Sequence, residues 1–107
     1  MTVAGNPQSS FEVVARGDGA LEFRVSGVID FDSVPDMLRE SVARFGEQGD
    51  IVLDLSGVTR ANSAGLALLI EWQRLARRPG RTLTIRNAPA SLRNLARVSE
   101  LESVLSL

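Results

Sequence analysis

The stretch from position 51 to 66 restricts the fold more than any other part of the chain. Ile51-Val52-Leu53-Asp54-Leu55 is nearly unbroken aliphatic, Ser56-Gly57-Val58-Thr59 reads as a tight turn, and Asn62-Ser63-Ala64-Gly65-Leu66 opens a helix. A short apolar run bounded by a turn predicts an interior strand covered on both faces. Asp54, at the end of that strand, is placed to order the turn by accepting backbone N–H groups. The layout leaves one small polar side chain, Ser63, at a helix N-terminus among aliphatic neighbours. Such a position suits protein recognition and phosphate control better than catalysis.

The flanking segments supply the rest of an α/β pattern. Residues 11–15 and 21–26 read as two strands joined across Arg16-Gly17-Asp18-Gly19, which predicts a hairpin. Ser33-Val34-Pro35-Asp36 opens a first helix, with Ser33 as cap, Asp36 at capping-box spacing and Pro35 in the first turn. Val34, Leu38, Val42 and Phe45 form the stripe expected to face the sheet, and Gly46 and Gly49 end the element. A second helix is expected over residues 63–78, stopped by Pro79-Gly80, and a strand over 82–85. Pro89 starts a third helix carrying Leu92, Leu95 and Ala96 on one side and Arg93 and Arg97 on another. Val104 and Leu105 read as a short last strand. Residues 1–10 lack periodicity and are expected to be a loose arm, leaving 11–107 as one domain of order β-β-α-β-α-β-α, helices on a mixed sheet.

Composition removes most chemistry. The 107 residues, 44% of them apolar, suffice for one core without disulfides or metals. With no cysteine and no histidine, zinc binding, thiol chemistry and imidazole catalysis lose their reagents. All twelve basic residues are arginines, so neither a Walker lysine nor a Schiff base is available. The five aromatic residues do not alternate with arginine as a base-stacking platform requires, which argues against nucleic acid. The carboxylates are scattered and no nucleophile has a recognisable base, so neither an enzyme nor a cofactor is expected. The start of the chain lacks signal-peptide character and no run approaches the roughly 20 apolar residues of a membrane span, so a soluble, cytoplasmic protein is expected.

The net charge of −1 conceals an asymmetry. Residues 1–56 hold ten acids and four arginines, whereas 57–99 hold eight arginines and one acid, Glu71. The charges either solvate helix faces or form a basic surface aimed at an acidic partner or anionic headgroups.

The second helix carries more apolar surface than one core face needs. At about 100° per residue, Leu68, Leu69, Trp72, Leu75 and Ala76 share one sector, as a core-facing helix requires. Leu66, Ala67 and Ile70 fall on the opposite side with Ser63, in the sector later filled by Arg74, Arg77 and Arg78. The expectation is an outward apolar patch around a hydroxyl, running into arginines; coverage of the patch by the third helix is the alternative. Ser63 serves either as the cap or, if Asn62 caps, as an outward hydroxyl. A phosphate there would gain from the helix N-terminus yet place about −2 charge beside Leu66 and Ile70, leaving a folded domain with a spoiled face.

The run from Asp54 to Thr59, followed by Asn62-Ser63-Ala64-Gly65-Leu66, resembles the signature of STAS domains, the sulfate-transporter and anti-sigma-factor-antagonist domains. The resemblance extends from the hairpin through Ser26-Gly27-Val28-Ile29-Asp30 to Ala88-Pro89-Ala90-Ser91-Leu92 and Leu95. It implies an α/β, SpoIIAA-like mixed sheet with helices packed on it. Gly65-Leu66-Ala67-Leu68-Leu69 with Arg74-Leu75-Ala76-Arg77 is most similar to the MlaB-type STAS subunits of phospholipid-transport ABC systems, which maintain outer-membrane lipid asymmetry. That resemblance implies a non-enzymatic cytoplasmic subunit docked on an MlaF-like ABC ATPase and held at the inner membrane through it. The hydroxyl matching Ser63 then lies at the ATPase contact, and the implied contact set is Asn62, Ser63, Leu66, Ala67, Ile70, Arg74 and Arg77. The competing branch is the anti-sigma-factor antagonist, whose residue matching Ser63 is phosphorylated by an anti-sigma kinase. Here Asn62 stands where those proteins usually have aspartate, and Ala64 where they often have a second serine.

Overall fold

Burial alternates along the strands, and this alternation sets the architecture. In the computed structural model, which describes residues 9–17, 20–45 and 49–107, the chain forms β1 (Ser9–Gly17), β2 (Ala20–Ile29), α1 (Val34–Arg44), β3 (Asp50–Ala61), α2 (Ser63–Arg77), β4 (Leu83–Arg86), α3 (Ala90–Val98) and α4 (Glu102–Leu105). The sheet order is β1-β2-β3-β4. The expected hairpin is present as the antiparallel β1–β2 pair, with a bulge between Val13 and Ala15, while β2–β3 and β3–β4 are parallel. Because the parallel strands advance in one direction, crossovers of one hand put α1 and α2 on the same face.

That face carries the core. Phe23, Val25, Ile51, Leu53, Leu55, Leu83 and Ile85 are buried beneath the helices. Four of the five aromatic side chains gather there: Phe11 stacks on Phe23 at 4.9 Å, and Phe45 and Trp72 tilt against Phe11. The Trp72 indole N–H donates to Ser41 Oγ at 2.7 Å, and Ser41 in turn donates to the Leu38 carbonyl at 2.7 Å. Among the described residues no helix covers the opposite face, which is polar, with Arg24 and Arg86 exposed, Glu22 and Asp54 half-buried, and Arg86 lying 3.9 Å from Glu22. The expectation that residues 51–55 would be covered on both faces is therefore corrected: one layer of helices covers one face, and Val52 and Asp54 point to the other.

Other local expectations also shift. β1 takes in Ser9 and Ser10, which the sequence reading gave to the N-terminal arm; residues 1–8 of that arm, the Asp18-Gly19 part of the expected turn and Gly46 lie outside the described residues. No tight turn follows Leu55, because Gly57, Val58, Arg60 and Ala61 stay paired to β2. β3 reaches this length through register shifts against β2, one of them around Gly57, where a Cβ would meet Ser26 Cβ at 3.0 Å.

On α1 the buried positions are Met37 and Ser41, Phe45 caps the buried end, and Val42 is exposed. Ser41 displaces Val42 from the interior because its hydroxyl has a partner there in Trp72. Ser33 makes no capping hydrogen bond to α1; its Oγ accepts the Asp30 N–H at 2.9 Å and donates to the Val28 carbonyl at 2.8 Å, and Asp36 pairs with Arg39 instead of closing a capping box. Residues 102–105 form a helical turn, not a strand. Glu100 at φ +59° ends α3, Leu101 N–H returns to the Ala96 carbonyl, and Leu105 is buried.

Candidate protein-binding site

The start of α2 is fixed by Asn62, and this decides what Ser63 is free to do. Asn62 has extended backbone, its N–H donates to the Ile29 carbonyl at 3.2 Å, and its side-chain oxygen accepts the Ala64 N–H at 2.9 Å. The capping role is thus filled. Ser63 is exposed, and its hydroxyl has no hydrogen-bond partner among the described residues. Gly65 follows where a side chain would press on Ile29 Cγ2 at 3.2 Å and on Ala61 Cβ and Leu92 Cδ2 at 3.4 Å, so the first turn of α2 sits tightly on β2, β3 and α3.

Of the residues expected on the outward patch, Ala67, Ile70, Arg74 and Arg77 are exposed with Ser63, at spacings that align them along α2, and Asn62 is half-buried at its head. Leu66 is not among them: it is only 7% exposed and belongs to the core cluster, whereas Ile70 is 37% exposed. The reason is angular. Leu66 lies about 60° round the helix from Ser63, toward Leu69 and Gln73. That flank is closed by α3 and α4, which pack on α2 and place Leu92, Ala96 and Leu105 in the same cluster. Coverage by the third helix, the alternative arrangement, therefore holds for Leu66 and not for Ile70.

The charges on this face are partly spoken for. Arg74 pairs with Glu71, Nε at 2.9 Å from Oε1. That hydrogen bond holds the Glu71 carboxyl below its ordinary range and raises Arg74. Arg77 reaches the Val104 carbonyl at 3.4 Å. Arg81, in contrast, is structural: its guanidinium donates to the Gly49 and Phe45 carbonyls at 2.6 and 2.7 Å and so caps the C-terminal end of α1.

One surface residue was missed from the sequence. Phe31 is 71% exposed, the one aromatic side chain outside the core cluster. It stands in the connection from β2 to α1, which is held by the Asp30 carboxylate accepting the N–H groups of Asp32 and Ser33 at 3.0 Å. This loop neighbours α2, since Ile29 pairs with Ala61 and accepts from Asn62. A signal was available: an aromatic residue between a strand end and a helix start has no core face to turn to. Between these elements lies an open cleft of about 240 Å³ lined by residues 28–30, 59–62 and Ser91. Elsewhere, Asp54 does accept the Ser56 N–H at 2.9 Å, as expected, and also the Asn87 side chain at 3.1 Å. These two bonds hold its carboxyl below the ordinary value.

A hydroxyl, a small side chain, an aliphatic residue and two arginines thus share one exposed face of α2. Among the described residues there is no cluster of three or more metal-ligating side chains, and no helix is long and apolar enough to cross a membrane.

Comparison with known proteins agrees on the fold. The family model described as "Mlab, STAS domain" matches residues 13–106. No curated protein matches the chain in sequence. Among solved structures, the anti-sigma factor antagonist SpoIIAA in its unphosphorylated form aligns with a TM-score of 0.69 and 18% identity, over 88% of this chain and 84% of its own. An anti-sigma factor antagonist from Mycobacterium paratuberculosis gives 0.70 and 22%, over 97% and 86%. The murine anion transporter Slc26a9 gives 0.69 and 18% over 79% of this chain, which spans only 14% of the transporter. At these identities the structural likeness is one of fold.

Proposed function

The chain belongs to the STAS domain family, and from that premise we propose that it is a non-enzymatic accessory subunit that docks on the ATPase of a phospholipid-transporting ABC complex. STAS domains are generally regulatory or accessory, and the matching family model carries the MlaB description. The observation that carries the reading is the exposed line Ser63, Ala67, Ile70, Arg74 and Arg77, with Ser63 released from capping by Asn62. The contact set is the implied one with Leu66 removed and Phe31 added. The subunit sits in the cytoplasm and meets the inner membrane through an MlaF-like ATPase, supporting the maintenance of outer-membrane lipid asymmetry.

Co-expression with the cognate ATPase is expected to give a stable complex that Ser63→Arg abolishes while the domain stays folded. A wild-type chain that co-purifies with no ABC ATPase overturns the reading.

The second reading is an anti-sigma-factor antagonist switched by phosphorylation of Ser63 by an anti-sigma kinase. It is favoured by the free, exposed hydroxyl at a helix start and by the two antagonist structures above. It requires phosphate on Ser63 in some growth state, detectable by mass spectrometry, and release of the partner by Ser63→Asp. Persistent absence of phosphate together with indifference to Ser63→Asp removes it.

A further inference from the structure

Beyond Ile70 the outward face of α2 meets α4 across a groove of about 390 Å³ lined by Ile70, Gln73, Arg74, Arg77, Arg78 and Val104. We propose that this groove takes a short acidic segment of the docked partner, an aliphatic side chain seated on Ile70 and Val104 and carboxylates on Arg77 and Arg78. The inference rests on the reading of α2 as the partner-docking face and names the chemistry of a second contact on it.

The floor is apolar: Ile70 is 37% and Val104 41% exposed, and the Gln73 amide turns inward to the Leu83 carbonyl at 3.3 Å. The rim is cationic. Glu71 is hydrogen-bonded to Arg74 and feels the charge of Arg78 without contact, Arg77 reaches the Val104 carbonyl, and neither Arg77 nor Arg78 forms a contact ion pair among the described residues. Two guanidinium groups thus flank an apolar trough with no carboxylate in contact with either among the described residues. Planar guanidinium forks recognise carboxylates bidentately, and an aliphatic anchor beside them fixes register. A bilayer fits this geometry less well. The trough is a concavity between two helices, its lining Arg74 is already neutralised by Glu71, and the most exposed apolar side chains, Phe31 and Val98, are not among its lining.

A photo-reactive amino acid placed at position 67 or at position 104 of the full chain, in the complex with the co-expressed ATPase, separates the possibilities. The expected result is a cross-link to the ATPase from both positions, with the peptide captured at 104 containing Asp or Glu beside an aliphatic residue. Capture at 67 alone, or a captured peptide at 104 without acids, overturns the groove proposal and leaves the docking reading standing. Capture of lipid at 104 from native membranes also overturns it. No cross-link to the ATPase from either position overturns both. In parallel, the charge reversal Arg77→Glu/Arg78→Glu is expected to weaken the complex about ten-fold or more at low salt and to flatten its salt dependence. The neutral pair Arg77→Gln/Arg78→Gln is expected to lie between this and wild type, with Trp72 fluorescence reporting the fold in each case. Unchanged affinity in both double variants overturns the proposal.

Discussion

Leu66 and Ile70 are both aliphatic, stand one turn apart on the same helix, and end on opposite sides of the boundary between interior and surface. Leu66 packs into the flank that α3 and α4 close; Ile70 lies with Ala67 and Ser63 on the line left open. The sheet repeats the contrast, with one face under the helices and the other polar and charged. In a single-layer arrangement of this kind, which residues are available to a partner is decided by where the covering elements stop. The apolar content of a helix does not decide it.

Truncating the two aliphatic residues is the strongest way to break this comparison. Leu66→Ala is expected to cost about 2–5 kcal/mol, as buried leucine truncations do, whereas Ile70→Ala is expected to cost about 1 kcal/mol or less because much of its surface already meets water. Partner binding is expected to respond in the reverse order. Urea titration followed by Trp72 fluorescence measures the first effect, and co-purification at a temperature where both variants are folded measures the second. Equal losses of stability would remove the distinction.

Gly65 tests how tightly the covered side is built. The Gly65→Leu side chain would enter space already occupied by Ile29, Ala61 and Leu92, and overpacking of that kind costs about 1–3 kcal/mol. Gly65→Ala is expected to be close to neutral, because a helix-propensity gain of about 1 kcal/mol opposes displacement of those three neighbours by a few tenths of an ångström. A Gly65→Leu variant with wild-type urea midpoint would show that α3 yields easily, and that Leu66 is less securely covered than its burial indicates.

What the sequence made legible was local. The hairpin, the start of α2 at Asn62-Ser63 and the alternation of strands with helices follow from turn residues, caps and periodicity within a few positions. What it hid depends on distant elements or on unpatterned partners. An aliphatic run such as Ile51-Val52-Leu53 does not reveal how many faces are covered, since helices elsewhere in the chain decide that. Val42 yields its interior place to Ser41 because Trp72, far along the chain, offers that hydroxyl an N–H. Leu66 is closed off by residues of α3 and α4, and Phe31 counts as core in any composition while standing in water. The four residues of α4 are too few to tell a helical period from a strand's.

The head of α2 offers a smaller and cleaner contrast between neighbours. Asn62→Ala removes the 2.9 Å bond to the Ala64 N–H and is expected to cost about 1 kcal/mol, the usual value of an N-cap. Ser63→Ala is expected to stay within about 0.5 kcal/mol of wild type, as exposed substitutions do. Calorimetric or urea midpoints at fixed pH distinguish the two. If Ser63→Ala destabilised as much as Asn62→Ala, the hydroxyl would be occupied in capping, and the docking face would lose its free polar group.

The smallest effect concerns the polar face of the sheet, where order comes from local polar bonds. The Asp54 carboxyl is held below its ordinary value by the Ser56 N–H and then by the Asn87 side chain. A carboxyl depressed in the folded state contributes stability that is present above its unfolded value and is lost as pH falls through the folded one. Wild type should therefore lose a small increment of stability below the usual aspartate range of about 4, an increment that solvent around this exposed group keeps modest. Asn87→Ala removes one of the two bonds and should shift that loss toward higher pH, whereas Asp54→Asn should remove it altogether. Urea midpoints between neutral and acid pH, compared across the three proteins, read the effect. If Asp54→Asn leaves the acid limb of the wild-type profile unchanged, the carboxylate orders nothing in this part of β3, and the polar face holds its shape through the strand ladder alone.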